Sequence, residues 1–557
     1  MRRAERPAAF FWTPIKMPRD LKADQEMLRN VLALAERREI GKAAAIAQQA
    51  IASGFDHPLL LNVAATQLEH EGKFEESLAL LERAIALAPQ DVGVRNALSI
   101  VLQRLDRPAE SLHHIDTLIK AHPDLSFAHA NRGNALISLS ALGKARESHL
   151  KALELDPNNL AAQVSLAAIA THRGDHEEAR SWARSVLGKV PGFPDAVLSL
   201  AAAELAAGAT DSAQLQITQV LTDPRAGKAE KARANGLLGD VLDAAGRYPE
   251  AFGAYSACNE ILRTLHTRLA AGGSILIYIE SVIAAMGRIE AARWRERSAS
   301  ASDACGASGH VFLLGFPRSG TTLLEVALDG HPKIASLEEH ELLKAGVLQY
   351  MREPVDLTTL VRAGEAELNG FRERYWREVR EAGIDVTGKV FIDKHPLHTL
   401  KLPLIARLFP NAKILFAHRD PRDVVLSCFR RRFAMNPAMF QLLTLSGAAA
   451  FYDATLRLAE QARPALGLEW RVTRYEALVD DMEKELRGIC EYLGLEWEAN
   501  LVDFAARAQA RERATPSTAQ LVRGLDKSGV GHWRHYETEL APVLPVLAPW
   551  VQKLGYG

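Results

Sequence analysis

The feature that most constrains the fold of this chain is a period of 34 residues in its first half. Prolines follow that period, with a last interval of 33: Pro89, Pro123, Pro157, Pro191 and Pro224. Small residues share it: Ala43, Ser77, Ser111, Ala145, Ala179 and Ala213, with Ala251 after a four-residue slip. A third series consists of residues that favour turns: Gly72, Asp106, Ser140, Gly174, Gly208 and Gly246. One period shared by three series predicts a tandem array of one structural unit.

We interpret each unit as a helix, a short turn, a second helix and a turn marked by proline. Antiparallel helices approach closely only where one presents a small side chain, and proline ends the second helix because it has no N–H to donate. One pair cannot bury its apolar face alone, so the units stack into an all-α solenoid. Segments such as GKFEESLALLERAIALAPQD (72–91) resemble the tetratricopeptide repeat. We count about six units over 58–265, and a seventh if 25–56 is included.

The pattern changes beyond a stretch rich in serine, alanine and glycine at 298–310, which is typical of a linker. Short apolar runs then alternate with helical stretches: VFLLGF (311–316), KVFID (389–393), AKILFAH (412–418) and, more weakly, EWRVTRY (469–475). This alternation predicts a parallel sheet covered on both faces. The predicted fold is therefore multidomain, with four parts: an N-terminal extension (1–24), an all-α repeat array (25–292), a linker (293–309) and an α/β, P-loop-like domain (310–557).

Composition excludes few classes of protein. The net charge is −1, which does not suggest binding to nucleic acid or to a membrane surface. The four cysteines lie far apart without a CxxC pair, which argues against a zinc site or a disulfide framework and fits a reducing compartment. The N-terminus has no apolar core of signal-peptide length, and no uninterrupted apolar run reaches about 18 residues. We therefore expect a cytoplasmic protein with no membrane span and no metal.

The run at 311–316 leads into GFPRSGTT (315–322), which has the spacing of a phosphate-binding loop, GxxxxGK[ST]. Gly315 and Gly320 allow the backbone to approach an anion, and the start of the next helix supplies amide donors and a positive dipole. Thr321 stands where the lysine belongs, which disfavours a triphosphate with magnesium, whereas Arg318 can pair with a phosphate or a sulfonate. The alternative is a helix-capping turn beneath a strand.

Two segments carry a family resemblance. PRSGTTLLEVALDGHP (317–332) resembles the 5′-phosphosulfate loop of sulfotransferases that use 3′-phosphoadenosine 5′-phosphosulfate (PAPS). AHRDPRDVVLSCFRRRF (417–433) resembles their 3′-phosphate segment. The resemblance covers 310–557 and is closest to the tyrosylprotein sulfotransferases and to bacterial proteins that join tetratricopeptide repeats to a sulfotransferase domain. It implies PAPS as the co-substrate, with no metal required.

The resemblance also implies which residues bind PAPS. Those expected at the phosphosulfate are Pro317, Arg318, Ser319, Gly320, Thr321 and Thr322. Those expected elsewhere on the nucleotide are Arg419 and Ser427 at the 3′-phosphate, Arg431 at a phosphate, Tyr475 near the cofactor and Arg523 in a closing loop. Several alternatives stay open. Arg419 could instead pair with Asp420 or Asp423, Tyr475 could be structural, and Arg430 and Arg432 could form a basic surface face.

Sulfuryl transfer needs a base for the acceptor and cations for the leaving group. The resemblance assigns the base to Glu339, with Glu338, His340 and His395 as competitors, and a helix start as the alternative interpretation of the EEHE run. It assigns Lys394 to the bridging oxygen, with an ion pair to Asp393 as the alternative, and it places Ser517 and Arg318 at the transferring group. Trp533 and Tyr536 are interpreted as core anchors.

The predicted activity is transfer of a sulfuryl group from PAPS to a hydroxyl on a protein, peptide or glycan. The repeat array would suit an extended acceptor, although a structural arm or a dimer surface explains it too, and a small-molecule acceptor stays open. Two other classes of protein remain: a repeat scaffold with an inactive transferase domain, and a degenerate P-loop kinase.

Overall fold

The computed structural model describes residues 21–139, 141–271, 274–295, 306–505, 507 and 527–557. The chain divides into two compact units, of which the first extends to Ala162 and the second begins at Gln163. This division falls inside the predicted repeat array. The domain boundaries expected at 24, 292 and 309 stay predictions.

The first unit consists of antiparallel helix pairs joined by short turns. Its helices are α1 (Leu21–Glu36), α2 (Ile40–Ala52), α3 (Pro58–His70), α4 (Phe74–Leu87), α5 (Val92–Arg104), α6 (Pro108–Ala121), α7 (Ser126–Ser138) and α8 (Leu142–Leu155). The next helix, α9 (Leu160–Arg173), begins in this unit and continues into the second.

The second unit opens with more helices of the same kind. They are the rest of α9, α10 (His176–Lys189), α11 (Pro194–Ala206), α12 (Thr210–Thr222), α13 (Lys228–Ala244) and α14 (Tyr248–Leu265). Three further helices follow: α15 (Thr267–Ala271), α16 (Ile275–Gly287) and α17 (Ala291–Arg295). The predicted all-α array of tetratricopeptide type is therefore confirmed.

The small-residue series marks the places where helices touch. Every member has 0% of its surface exposed: Ala43, Ser77, Ala145, Ser111, Ala179, Ala213 and Ala251. The two serines also satisfy their hydroxyls, because Ser77 Oγ donates to Ala65 O at 2.9 Å and Ser111 Oγ donates to Ser99 O at 2.8 Å. A larger side chain at these positions would push the two helices of a unit apart.

The turn series has a backbone conformation that explains its composition. Left-handed φ angles between 57° and 80° occur at Gly72, Asp106, Gly174, Gly208 and Gly246. Glycine adopts this conformation without a steric penalty, and aspartate tolerates it. Ser140, the remaining member of the series, lies outside the described residues.

One helical stretch bears on the expectation of no membrane span, which stays a prediction. Of the residues that the structure describes, Thr267–Gly287 is the single helical stretch long and apolar enough, by length and composition, to cross a membrane. Its second part, α16, places Ile279, Val282 and Met286 in the apolar core of the second unit. Ile277 on the same helix keeps 67% of its surface exposed.

The rest of the second unit is built on a five-stranded parallel sheet. Its strands are β1 (Gly309–Gly315), β2 (Ile334–Glu338), β3 (Val390–Lys394), β4 (Lys413–His418) and β5 (Glu469–Arg474), in the order β2-β3-β1-β4-β5. The predicted parallel sheet is confirmed, including the weak candidate at 469–475. Strand β2 was missed, because IASLE is short, contains a central serine and leads into acidic residues that resemble a helix start.

Helices cover both faces of the sheet. They are α18 (Thr321–Leu328), α19 (Lys344–Tyr350), α20 (Thr358–Arg362), α21 (Glu365–Glu381), α22 (Leu402–Leu408), α23 (Pro421–Arg430), α24 (Pro437–Gln441), α25 (Leu445–Ala465), α26 (Tyr475–Asp480), α27 (Met482–Leu493), α28 (Glu537–Leu540) and α29 (Leu544–Lys553). Short 3₁₀ turns occur at Pro396–Lys401, Ala499–Val502 and His532–Tyr536. Alternate residues of β1 enter two different apolar clusters, Phe312 and Leu314 in one and Val311 and Leu313 in the other.

The strand order locates the functional edge of the sheet. Strand β1 lies between β3 and β4. The chain runs from β1 to β2 and β3 on one side of β1 and then crosses to β4 and β5 on the other side. Ligands of open parallel sheets bind outside the carboxyl ends of the strands at such a point. The segments that follow β1, β3 and β4 contain the residues that the sequence analysis singled out.

Candidate active site

The loop between β1 and α18 has the strained backbone of an anion-binding turn. Arg318 and Gly320 have left-handed φ angles of 72° and 94°. A Cβ atom on Gly320 would lie 2.6 Å from Tyr475 Cδ2, so only glycine fits beneath that ring. Thr399 Oγ1 donates to Gly315 O at 2.9 Å and fixes the start of the loop. Non-glycine residues adopt left-handed φ angles where the surroundings over-determine them, and functional sites are enriched in such residues.

The second group of residues predicted to bind a phosphate, Arg419 and Ser427, lies directly against this loop. Arg318 Nε donates to Ser427 Oγ at 3.0 Å, and Arg419 Nη1 donates to Arg318 O at 3.3 Å. Ser427 belongs to α23, and Arg419 immediately follows β4. The structure therefore brings together residues that lie about 100 positions apart in the chain, although their roles toward a nucleotide stay predictions.

Arg419 is held by the backbone and by an aromatic ring. Its Nη2 donates to Gly529 O at 2.5 Å, and its guanidinium lies 4.7 Å from the centre of the Tyr475 ring. Within the described part of the chain, no ion pair joins it to Asp420 or Asp423. Asp420 pairs with Arg422 at 2.7 Å, and Asp423 accepts hydrogen bonds from Gly531 N at 2.7 Å and Trp533 N at 2.9 Å. This arrangement leaves the positive charge of Arg419 available to an anion.

The electrostatics around Arg318 favour an anion. Burial, together with the neighbouring Arg431 and Arg419, lowers the pKa of Arg318 to about 9. Among the residues that the structure covers, the Arg431 side chain donates no hydrogen bond, and burial lowers its pKa as well. Guanidiniums that depress one another's pKa in a buried site are stabilised when a multivalent anion enters, because it restores their lost solvation.

Arg430 and Arg432 do not form the basic surface face that the sequence left open. Arg430 Nη2 lies 2.6 Å from Asp243 Oδ2, and Arg432 Nη2 lies 2.8 Å from Asp240 Oδ2. Both aspartates belong to α13, a helix of the repeat type. No sequence spacing indicates these partners, because the members of the two pairs are 187 and 192 positions apart in the chain.

Lys394, at the end of β3, is the buried cation of the site. It has 0% of its side chain exposed, and its Nζ lies 2.8 Å from both Glu338 Oε1 and Glu339 Oε1. The weighed alternative, an ion pair with Asp393, is not formed, since Asp393 Oδ2 accepts a hydrogen bond from Tyr375 Oη at 2.8 Å. Lys394 pairs in register with Leu313 of β1, two residues before the phosphate loop begins. The lysine and the loop therefore lie at the same edge of the sheet.

Glu339 is positioned by strain and by charge. Its φ is 51°, and its backbone N–H donates to Lys394 O at 2.7 Å. Its side chain keeps 42% of its surface exposed, against 18% for Glu338, so Glu339 is the more accessible carboxylate. Desolvation acts to raise the pKa of Glu339, but the Lys394 ammonium outweighs it and holds that pKa below its usual value. Burial likewise acts to lower the pKa of Lys394, and Glu338, Glu339 and Glu325 together raise it.

The two competing histidines have other partners. His340 is exposed, and its Nδ1 lies 2.9 Å from Glu338 O. His395 Nε2 lies 3.2 Å from Glu341 Oε1, and its ring stacks on His398 with 4.2 Å between centroids. Glu341, His395 and His398 place their ligand atoms within 4.8 Å of one another, a grouping that the sequence analysis did not foresee. Lys401 already neutralises Glu341 at 2.5 Å, and the expectation of no metal stays untested.

The remaining predicted residues divide into three groups. Pro317, Ser319, Thr321 and Thr322 belong to the loop and to the first turn of α18, and the last three have buried side chains. Ser517 and Arg523 lie outside the described residues. Trp533 and Tyr536, expected as core anchors, are 7% and 0% exposed and belong to the larger apolar cluster.

Two protein families match parts of the chain. Residues 310–499 match the sulfotransferase family, and residues 142–196 match the tetratricopeptide repeat. An uncharacterized protein of Aquifex aeolicus (strain VF5) is 26% identical over 428 residues, which are 72% of this chain and 52% of that protein. The chain thus spans about half the length of that relative.

Relatives with a described activity match a smaller part of the chain. Protein-tyrosine sulfotransferase A of Caenorhabditis elegans is 24% identical over 259 residues, 45% of this chain and 67% of that protein. Protein-tyrosine sulfotransferase 1 of Mus musculus is 26% identical over 258 residues, 44% of this chain and 69% of that protein. A solved tetratricopeptide repeat protein from Parabacteroides merdae ATCC 43184 has 18% identity and a TM-score of 0.35, covering 43% of this chain and 93% of its own. The chain therefore combines tetratricopeptide repeats with a domain that matches the sulfotransferase family over residues 310–499.

Proposed function

We propose that this chain transfers a sulfuryl group from PAPS to a hydroxyl acceptor. The observation that carries the proposal is the contact between Arg318, Ser427 and Arg419. It joins the loop expected to bind the phosphosulfate to the pair expected to bind the 3′-phosphate. The family match of residues 310–499 supports the same reaction.

The reaction assigned to this site is a single in-line displacement. The acceptor oxygen attacks sulfur and forms a new S–O bond, while the bond between sulfur and the bridging phosphate oxygen breaks. The acceptor proton passes to the Glu339 carboxylate, which is ionised at neutral pH because Lys394 holds its pKa low. Lys394 and Arg318 stabilise the negative charge that develops on the departing 3′,5′-adenosine bisphosphate. No redox partner is required.

The acceptor class in this proposal is a protein or peptide. Two relatives are named protein-tyrosine sulfotransferases, and the repeat array is of a type that suits extended chains. A glycan or small-molecule hydroxyl is the competing class. A cytoplasmic location belongs to the proposal, on the ground that the three described cysteines, Cys258, Cys428 and Cys490, are free and buried.

A titration separates this proposal from its rivals. Isothermal titration with 3′,5′-adenosine bisphosphate in a metal chelator is expected to show micromolar binding that Arg419→Ala abolishes. A P-loop kinase would instead prefer ATP with magnesium, and an inactive scaffold would bind neither nucleotide. Transfer of labelled sulfate from PAPS onto tyrosine peptides, glycans and phenols then identifies the acceptor class.

A further inference from the structure

Two aspartates of the repeat-type helix α13 form ion pairs with arginines of the run 430–432, at the end of α23. Asp240 pairs with Arg432 at 2.8 Å and Asp243 pairs with Arg430 at 2.6 Å. All four side chains are at most 30% exposed. Ion pairs this sheltered are costly to break, since removing one partner leaves the other charge without compensation.

Asp243 also accepts hydrogen bonds from the C-terminal segment 527–557. Its Oδ1 accepts a hydrogen bond from His532 Nε2 at 2.9 Å and another from the Tyr536 hydroxyl. Just before this turn, Gly529 O accepts the hydrogen bond from Arg419. One carboxylate of α13 is therefore linked to both phosphate-facing arginine regions, through Arg430 on one side and through 529–536 on the other.

Aromatic stacking and a further hydrogen bond also join α14 to the end of α23 and to the 3₁₀ turn at His532–Tyr536. The Tyr248 ring stacks on His535 with 4.2 Å between centroids, and the Phe252 ring stacks on Phe429 at 5.2 Å. Asn259 Nδ2 donates to Phe429 O at 3.0 Å. A Cβ atom on Gly236 would lie 2.6 Å from Arg432 Cδ, so α13 has a glycine where the arginine crosses it.

This packing determines the position of Arg431. Its two neighbours are anchored to aspartates, whereas the Arg431 side chain donates no hydrogen bond within the described residues and lies near enough to Arg318 to depress the pKa of that arginine. Anchoring Arg430 and Arg432 fixes the backbone on both sides of Arg431. It also supplies two negative charges beside Arg430, Arg431 and Arg432, whose positive charges repel one another.

We propose that the helix pair α13–α14 is a structural part of the donor site, in which Asp240 and Asp243 position Arg431 and the Gly529 carbonyl that holds Arg419. The inference rests on the proposed function, since it concerns the same nucleotide. Asp240 and Asp243 are positioning residues and touch no substrate. In consequence, the affinity for the nucleotide depends on a repeat-type helix, and a transferase domain that begins at β1 would lack part of its donor site.

The test is titration of the full-length chain with 3′,5′-adenosine bisphosphate. Asp243→Asn keeps the shape but removes the charge, and we expect about tenfold weaker binding or more, since contacts to a charged group are lost. The KM for PAPS should rise with kcat nearly unchanged. Asp211→Asn, at an exposed position of α12, is the matched control and should bind like the wild type.

Charge reversal provides a second, independent arm. Asp240→Arg and Arg432→Asp should each weaken binding, and the double variant should recover most of it. If Asp243→Asn does not fold, Tyr536→Phe removes one of its hydrogen bonds and should also weaken binding. Unchanged affinity in the folded Asp243 and Asp240 variants, or a fall in kcat and melting temperature with nucleotide affinity intact, would overturn the inference. Absence of binding in the wild type would overturn the proposed function instead.

Discussion

Arg318 Nε donates a hydrogen bond of 3.0 Å to Ser427 Oγ, and this contact joins the loop after β1 to the helix after β4. The two residues are 109 positions apart in the chain. The hydroxyl orients the guanidinium of Arg318. The backbone of Arg318 is left-handed, and Arg419 and Arg431 are its neighbours. A buried guanidinium in such surroundings is preorganised to bind an anion.

Removing that hydroxyl should weaken nucleotide binding without unfolding the domain. We expect Ser427→Ala to raise the dissociation constant for 3′,5′-adenosine bisphosphate about tenfold, because it loses the hydroxyl expected at the 3′-phosphate and the partner that orients Arg318. Isothermal titration measures the effect. Ser446→Ala, at an exposed position, is the control, and equal affinities in the two variants would contradict the assignment.

Substitution of the expected base should separate chemistry from binding. Glu339→Gln should lower kcat about 10²- to 10⁴-fold and leave nucleotide affinity nearly unchanged. Because Lys394 lowers the pKa of Glu339, the acid limb of the wild-type kcat/KM profile should lie below the usual glutamate value of 4.5. If His340 were the base instead, His340→Ala would abolish transfer and Glu339→Gln would not.

A buried histidine of the first unit should make stability depend on pH. Burial lowers the pKa of His149 from 6.5 to about 4. The unfolded chain therefore takes up the proton first as the pH falls, so this stability is fully present above pH 6.5 and declines toward pH 4 by about 3 kcal/mol at most. His149→Leu should flatten the dependence of melting temperature on pH over that range. His113→Leu, at an exposed position of α6, controls for loss of an imidazole, and an unchanged slope in His149→Leu would contradict the prediction.

Overpacking a repeat contact should destabilise the array. Ala145 of α8 has 0% of its surface exposed, so Ala145→Leu is expected to cost about 1–3 kcal/mol of unfolding free energy. Urea denaturation followed by circular dichroism measures the loss. Glu147→Leu, on the exposed face of the same helix, should change the free energy by about 0.5 kcal/mol or less. Similar losses in both variants would show that Ala145 is not a close contact between helices.

Features set by neighbouring residues could be predicted from the sequence. The repeat period, the left-handed turns and the loop after β1 depend on short spacings, because each unit packs on the next and a loop is shaped by its own glycines. Four of the five strands were predictable for the same reason, since a continuous apolar run is a local property. Strand β2 was not, because IASLE becomes a strand through its pairing with β3.

Contacts between distant residues were decided by the tertiary structure alone. The pairing of Lys394 with two glutamates, and of Arg430 and Arg432 with α13, joins segments from 55 to 192 positions apart. Arginine, lysine and glutamate have no pattern that identifies a partner at such a separation, and their default place is the solvated surface. The sequence by itself determined the two architectures and the anion-binding loop, because these follow from local periodicity and backbone freedom. The tertiary structure decided which charges are buried together, because burial depends on elements that meet only when the whole unit has folded.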